Sequence, residues 1–455
     1  MARNATEIIE VNPERFEELL ARAESNTLRD EDTKLLGQIF VSYAGFFQIV
    51  GDKNTTIDRL RKMLFGATSE KSQNVLDGEE GNSNQPSGEA SEDDPSASSP
   101  DDHTAASMIG LLKYGSGMPF NRVERLQGNC EIPLAASTQW DIVHAASSLF
   151  VPVYSELIRQ AAQGDVVHND DTTVRILELM GERARKTPAA DDDHNPRRTG
   201  LFTSGVVATH AGVRMALFFS GRQHAGENLS DVLKHRAAQL EPPIQMCDGL
   251  SRNLPGELDT ILSNCLAHGR RNFVELYDRF PQKSRHVIKA FQVIYHNDKV
   301  AREEKMSADA RLAWHQTDSQ ATMDDLHSWL QRQFDEKHVE PNSALGDAIK
   351  YLLKRWELLT LFLRKAGAPL DNNICERALK KAILHRRNSM FYKTRNGARV
   401  GDMYMSLIYT CELSGANAYD YLNQLQLNAQ DVATHPNQWM PWNYGENIEA
   451  VSDAA

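Results

Sequence analysis

No uncharged apolar run in this sequence approaches the roughly 20 residues that a membrane-spanning helix needs. The first residues, MARNATEIIEVNPERFEELL, are charged throughout where a secretory leader would be basic and then apolar. Both absences speak against membrane insertion or export and point to the cytoplasm. Cysteine is scarce as well: there are five, Cys130, Cys247, Cys265, Cys375 and Cys411, with no CxxC pair. That argues against a disulfide framework and a structural zinc site, and reduced thiols are expected. Positive charge is also in short supply. The formal net charge is −12, yet nine acidic residues fall between Ser72 and Asp102 with no Lys or Arg among them, so the remainder carries only about −3. A nearly neutral remainder neither supports nor forbids a polyanionic partner, and local patches must decide.

What is present is enough for a large core. The chain has 455 residues, 41% of them hydrophobic, which suits a soluble protein of two or three modules. The acidic stretch is rich in Ser, Gly, Asn and Pro and reads as a disordered linker over 72–103. Before it, residues 1–71 read as a helical, leucine-rich segment. Leu35, Leu36, Ile39, Phe40, Tyr43, Phe46, Phe47, Val50, Ile57, Leu60, Met63 and Leu64 recur at three-and-four spacing, as in a helical hairpin or short coiled coil. Such a segment is too small to fold alone, so it is expected to associate with itself or a partner.

After the linker, 104–163 reads as a helical lead-in. The period then shortens: Asp165–Leu177, Thr199–Ala211 and Gly212–Gly221 are short, β-branched and aromatic, the last two close enough for an antiparallel meander. A helix is expected over Ser230–Leu240, a fourth strand at PIQMC ending on Asp248, and a fifth at Thr260–Leu266. Beyond that the pattern is helical to Cys411. The whole predicts a mixed α/β fold, a five-stranded mixed sheet with helices packed against it.

Three carboxylates stand out. Asp170 lies inside an apolar-flanked strand and Asp248 at the end of another. Burying such charges costs several kcal/mol unless they are paired or bind metal, although a solvent-facing Asp170 and a turn role for Asp248 are ordinary alternatives. Glu376 follows Asn373 by three, the arrangement of a capping box, with Asp371 and Asn372 as turn residues ahead of it. Capping and chemistry are compatible, because a glutamate in a first helical turn is rigidly held. As a set, two strand-borne aspartates and a helix-borne glutamate are the hard oxygen donors that two Mg²⁺ or Mn²⁺ ions need in phosphoryl transfer; no zinc is expected. Cys265 and His268 form a Cys-x-x-His pair without a second half, so His268 reads as a helix-start histidine or as a neighbour of the site. The run Arg377, Lys380, Lys381, His385, Arg386, Arg387, Lys393, Arg395, Arg399, interleaved with Phe391 and Tyr392, is the strongest candidate nucleic-acid patch, with Arg270 and Arg271 as a second phosphate contact.

Several stretches resemble the transposases of the bacterial insertion-sequence sixty-six family. RLRKMLFGATSEK and KYGSGMPFNRVERL are similar to its N-terminal segment and the start of its central domain. HNDDTTVRIL, CDGLSRN and CLAHGRRNF resemble its first aspartate, its second aspartate and its His-Arg-Arg helix. SALGDAIKYLLKRWELLTLFL leading into LDNNICERALK is the most specific match, and MPWNYG also fits. The resemblance implies a ribonuclease-H-like core at 164–270 and 370–412, a long all-helical insertion at 271–369 before the last catalytic helix, and a C-terminal tail at 413–455. It implies catalytic, metal-binding Asp170, Asp248 and Glu376, with Asn372 and Asn373 near the site. It further implies double-stranded DNA as substrate, action at the bacterial nucleoid, a homo-oligomer and accessory proteins of the same element. Where the family has Asp-Glu-Thr this chain has Asp170-Asp171-Thr172, leaving Asp171 as the alternative first ligand. The cysteine-rich zinc module of many relatives is missing, and His315 and Ala321 stand where the family tends to have Arg and Pro. The activity implied is cutting and joining of element ends; the rivals are an inactive or domesticated DNA-binding copy and a nuclease that cuts without joining.

Overall fold

In the computed structural model the described residues are 100–132, 134–186 and 198–453. The leucine-rich segment and nearly all of the acidic linker lie outside them. The chain divides between Ala105 and Ala106 into two units, and, apart from the first residues of helix α1, the fold below is that of the second.

Helix α1 (Pro100–Gly110) continues through a π-helical turn at Leu111–Gly115 into α2 (Phe120–Asn129) and the long α3 (Ala136–Ala161). Strand β1 (Val166–Thr173) and the short α4 (Gly181–Lys186) precede the hairpin of β2 (Phe202–His210) and β3 (Val213–Gly221). That hairpin turns through Ala211 and Gly212, both at positive φ (48° and 83°), as a two-residue turn matched to strand twist requires. Helix α5 (Ala225–Leu233), β4 (Ile244–Cys247) and β5 (Ile261–Asn264) follow. The sheet order is β3-β2-β1-β4-β5, with β1 antiparallel to β2 and parallel to β4. It is the five-stranded mixed sheet that the periodicities predict. The helix expected at Ser230–Leu240 begins earlier, because the Glu227 carboxylate accepts the His224 N–H at 2.7 Å and caps it there. It ends at Leu233, and Arg236 then donates to the carbonyls of Ala162 and Gly164.

Helices α6 (Leu266–Glu275), α7 (Pro281–Glu303), α8 (Ala308–Asp318), α9 (Gln320–Asp335), α10 (Ala344–Lys354) and α11 (Trp356–Leu359) surround their own core, in which Phe273, Phe291, Ile294, Leu330, Ile349 and Leu352 are buried. Ile244 of β4 belongs to it too, so the insertion grows directly on that side of the sheet. Within it His315 is buried, its Nδ1 2.9 Å from Ser319 Oγ, while Arg311 pairs with Asp298. Then α12 (Asn373–Ser389) and α13 (Arg395–Ser414) return to the sheet. Within 413–455, named above as a C-terminal tail, α14 (Ala418–Leu427), α15 (Ala429–Thr434) and α16 (Tyr444–Asp453) follow, and Tyr421, Leu422, Leu425 and Trp439 are fully buried in the sheet's core. The apolar residues of this segment are spaced among Asn, Gln and Asp, which hides them from a local reading.

Candidate active site

The parallel ladder of β1 and β4 ends at the pair His168 and Met246. Past that point the strands are free to part, and Asp170 on β1 and Asp248 just beyond β4 stand where open sheets leave a crevice, at the C-terminal ends of parallel strands. Alternation along β1 separates the two neighbouring aspartates. Asp170 is directly opposite Gly205 of β2, and a Cβ at Gly205 would lie 3.1 Å from Leu379 and 3.4 Å from Cys375. Asp170 therefore projects from the face that α12 covers, and the missing side chain at Gly205 lets that helix approach. Asp171 projects from the other face. Its buried carboxylate lies 2.8 Å from His224 Nδ1 and 3.2 Å from Arg252 and accepts the Ala225 N–H at the start of α5.

One buried amide joins the two aspartates. Asn253 Nδ2 donates to Asp248 Oδ1 and, at 3.5 Å, to Asp170 Oδ1. The Asn253 carbonyl is itself held by Asn169 at 2.8 Å and Gln245 at 2.7 Å. This turn lies so close to α5 that a Cβ at Gly226 would stand 2.1 Å from the Leu254 carbonyl oxygen, so only glycine fits there. Burial, and next the Asp248 charge, push the Asp170 carboxyl up to about 6. Arg355 of the insertion donates to the Gly249 carbonyl at 3.2 Å and lies over the Tyr351 ring, bringing a cation to the Asp248 turn. Neither Asn253 nor Arg355 is singled out by the sequence; Asn253 sits inside CDGLSRN but follows no periodicity, and Arg355 carries no local signal.

The third carboxylate arrives on α12. Asn372 pins that helix start: its N–H points at Cys265 Sγ (3.3 Å), its Nδ2 donates to the Asn169 carbonyl (3.1 Å), and its Oδ1 lies 3.2 Å from His168 Nδ1. Cys265 N in turn donates to the Cys247 carbonyl at 3.0 Å. The ends of β1, β4, β5 and α12 are thereby tied together. The anticipated capping box does not form. Asn373 is the first helical residue, and its N–H and side chain both donate to Asp371, at 3.1 and 2.7 Å, because the Asp371 carboxylate two residues ahead is the nearer acceptor. Glu376 is left to face α6, with Oε1 3.9 Å from His268 Nε2 and Oε2 3.7 Å from Arg271. Its Oε1 is buried without a hydrogen-bond partner. The structure thus joins Asp170 and Asp248 through one amide, and Glu376 adjoins Cys375, which packs on Gly205 opposite Asp170.

The basic candidates separate by engagement. Arg270, Arg271, Arg377, Lys380, Arg387, Lys393 and Arg399 are exposed, and Arg377, Lys380 and Arg387 share one face of α12 beginning beside Glu376. Lys381 pairs with Glu412 at 2.7 Å over the Tyr409 ring. Arg386 is a strap to the end of β1, donating to Thr172 Oγ1 at 3.1 Å and to Thr173 Oγ1 at 2.8 Å. Arg395 is half-buried, and Glu178 accepts its N–H at 2.7 Å. Of the interleaved aromatics Phe391 is exposed, while Tyr392 is buried and stacks on His385. Burial lowers the His385 ring to about 3, so it adds no positive charge to the patch. Beside Arg270 and Arg271 a cleft of about 470 Å³ opens, lined also by Ile288, Gln292, Tyr295 and Asn373. Among the described residues, no helix is long and apolar enough to cross a membrane.

Residues 99–400 match the family model described as Transposase IS66 family. Three proteins of Sinorhizobium fredii (strain NBRC 101917 / NGR234) are similar to this chain. Uncharacterized protein y4hP is 27% identical over 353 residues, which are 73% of this chain and 60% of that protein. Uncharacterized protein y4qI is 27% identical over 74% of this chain and 61% of its own length. Uncharacterized protein y4jD is 32% identical over 77% and 67%. The chain thus spans about 60% of the length of the first two relatives. No solved structure matches it.

Proposed function

The chain belongs to the IS66 family of transposases, and from that premise we propose that it cuts and joins DNA ends by metal-dependent phosphoryl transfer at Asp170, Asp248 and Glu376. The observation that carries the reading is the meeting of two aspartates from adjacent parallel strand ends on the Asn253 amide, under the helix that bears Glu376. Three antiparallel strands continued by two parallel ones support a ribonuclease-H-like core.

The donor set fits hard divalent cations. Asp170 and Asp248 repel one another enough to help raise the Asp170 carboxyl, and Glu376 offers a buried oxygen without a partner; a cation among them would relieve both. Two Mg²⁺ or Mn²⁺ ions, when bound, would neutralise charge on the attacking and leaving oxygens of an in-line displacement. The protein's own part is positioning. Asn253 orients both aspartates, Asn372 fixes the first turn of α12, and Arg271 beside Glu376 meets the phosphate backbone. Arg377, Lys380 and Arg387 continue that contact along the helix. Double-stranded DNA is the partner that such a stripe serves, at element ends and at the target. Self-association through the leucine-rich segment, and assistance from other proteins of the same element, complete the proposal.

The test uses oligonucleotides that carry the element's ends. Glu376→Gln retains the wild-type melting temperature and DNA affinity but loses Mg²⁺-dependent cleavage and joining by about a thousandfold or more. Joining at the wild-type rate in this variant sinks the assignment. Cleavage without joined products in the wild-type chain points to a nuclease, and binding without either reaction to an inactive copy.

A further inference from the structure

Cys265, His268 and Glu376 each offer one donor atom, sulfur, nitrogen and oxygen, and these three atoms lie within 4.8 Å of one another. Cys265 immediately precedes α6 and is fully buried, and the Asn372 N–H points at its sulfur at 3.3 Å. A hydrogen-bond donor directed at sulfur suits a thiolate ligand. His268 lies three residues on, on the same side of the helix. Its Nδ1 is buried without a partner, as is Glu376 Oε1.

We propose that these three side chains form an open site for a borderline-soft divalent cation, Zn²⁺ in the first instance, with the fourth coordination position left to water or a ligand. A sulfur, nitrogen and oxygen set is foreign to Mg²⁺, which takes oxygen alone, and typical of zinc sites that keep an open position. Tetrahedral bonds of about 2.0–2.3 Å place donors about 3.5 Å apart. The ring of His268 and the carboxylate of Glu376, 24% and 26% exposed, have room to close the remainder of the gap, while Cys265 stays fixed by burial, by the Asn372 N–H and by its own N–H on the Cys247 carbonyl. In sequence the Cys-x-x-His pair lacks a second half; the fold supplies a third ligand from α12. The site shares Glu376 with the metal set of the proposed function, but zinc binding itself does not rest on that reading.

The experiment takes the purified full chain, stripped of metal, and titrates Zn²⁺ in competition with a chromophoric chelator and Co²⁺ by absorption. Expected are one tight Zn²⁺ equivalent and a thiolate-to-Co²⁺ charge-transfer band. Cys265→Ser abolishes the band and weakens Zn²⁺ binding tenfold or more, His268→Ala weakens it similarly, and Asp170→Asn leaves both signals unchanged. Circular dichroism melts check that Cys265→Ser folds, and His268, at a partly exposed position, supplies a second readout. Absence of the band in the wild-type chain, or unchanged Zn²⁺ affinity in the Cys265→Ser, His268→Ala double variant (an adventitious ion only), overturns the site. If zinc binds as expected while Glu376→Gln still joins DNA, the catalytic reading fails and the zinc site stands.

Discussion

Period-two alternation separates Asp170 from Asp171 by face, yet the sequence alone does not say which face α12 would cover. The two residues therefore make opposite predictions. Burial and Asp248 raise the Asp170 carboxyl from 3.8 to about 6. In chelator, the stability that its neutral form contributes is complete below about pH 4 and is lost as pH rises through about 6. Asp170→Asn at pH 7.5 without divalent ions should then melt at or above wild type, by about 1–3 kcal/mol in urea titrations. Asp171→Asn should fall by about 2–4 kcal/mol, since His224 and Arg252 lose the buried charge they enclose. Equal destabilisation by both would mean that the alternation has been misread. Asn253, which no local pattern marks, supports both aspartates. Asn253→Ala is expected to weaken activation by Mg²⁺ about tenfold and to cost about 1–3 kcal/mol in stability, measured by Mg²⁺ titration of cleavage and by melting.

At the scale of elements, the least legible feature is the way the exposed edge of the sheet is closed. β3 is an edge strand, and unpaired edge N–H groups invite association with other chains. Helix α13 covers them. Asp402 Oδ2 accepts Ser220 N at 2.6 Å, Ser406 Oγ accepts Phe218 N at 2.9 Å, and Thr410 Oγ1 accepts Ala216 N at 3.1 Å. Four helical residues rise about 6 Å and two strand residues about 6.7 Å, so successive rungs stay nearly in step. In DMYMSLIYT these positions read as polar interruptions of an apolar helix; their purpose exists only once the strand lies alongside. Ser406→Ala strands a buried N–H and should cost about 1–3 kcal/mol, as should Thr410→Val, whereas changes on the exposed side of α13 should cost little. Asp402 adds a pH signature, because burial lifts its carboxyl to about 7. The stability contributed by its protonated form is present below about pH 4 and lost as pH climbs through about 7. The difference in urea stability between wild type and Asp402→Asn should shift in favour of the variant across that window, and a difference independent of pH would refute the assignment.

For the whole molecule, strand number, strand sequence and the helical character of the insertion follow from periodicities that short-range sequence carries. The return of α12 to the sheet and the burial of Trp439 depend on contacts between distant segments, which no window of sequence contains. Charge behaves similarly. The basic run reads as one patch, but the fold spends Arg386 on tying α12 to β1 and Lys381 on Glu412; among the exposed cations are six candidates for phosphate contact, Arg270, Arg271, Arg377, Lys380, Arg387 and Lys393. Each phosphate neutralised releases counterions and adds about −0.9 to the slope of log affinity against log salt. If all six engage, the slope for duplex DNA is about −5, even though the chain as a whole is acidic. Replacing Arg377, Lys380 and Arg387 with alanine should flatten it by about 3, with similar losses on unrelated sequences because phosphate contacts carry no base information. Arg386→Ala should leave the slope near its wild-type value and lower the melting temperature instead, since its Nη1 group is engaged by Thr172 and Thr173. Fluorescence anisotropy across a salt series measures all three slopes. An unchanged slope in the triple variant would remove α12 from the DNA interface, and a flattened slope in Arg386→Ala would show that this strap opens to take a phosphate.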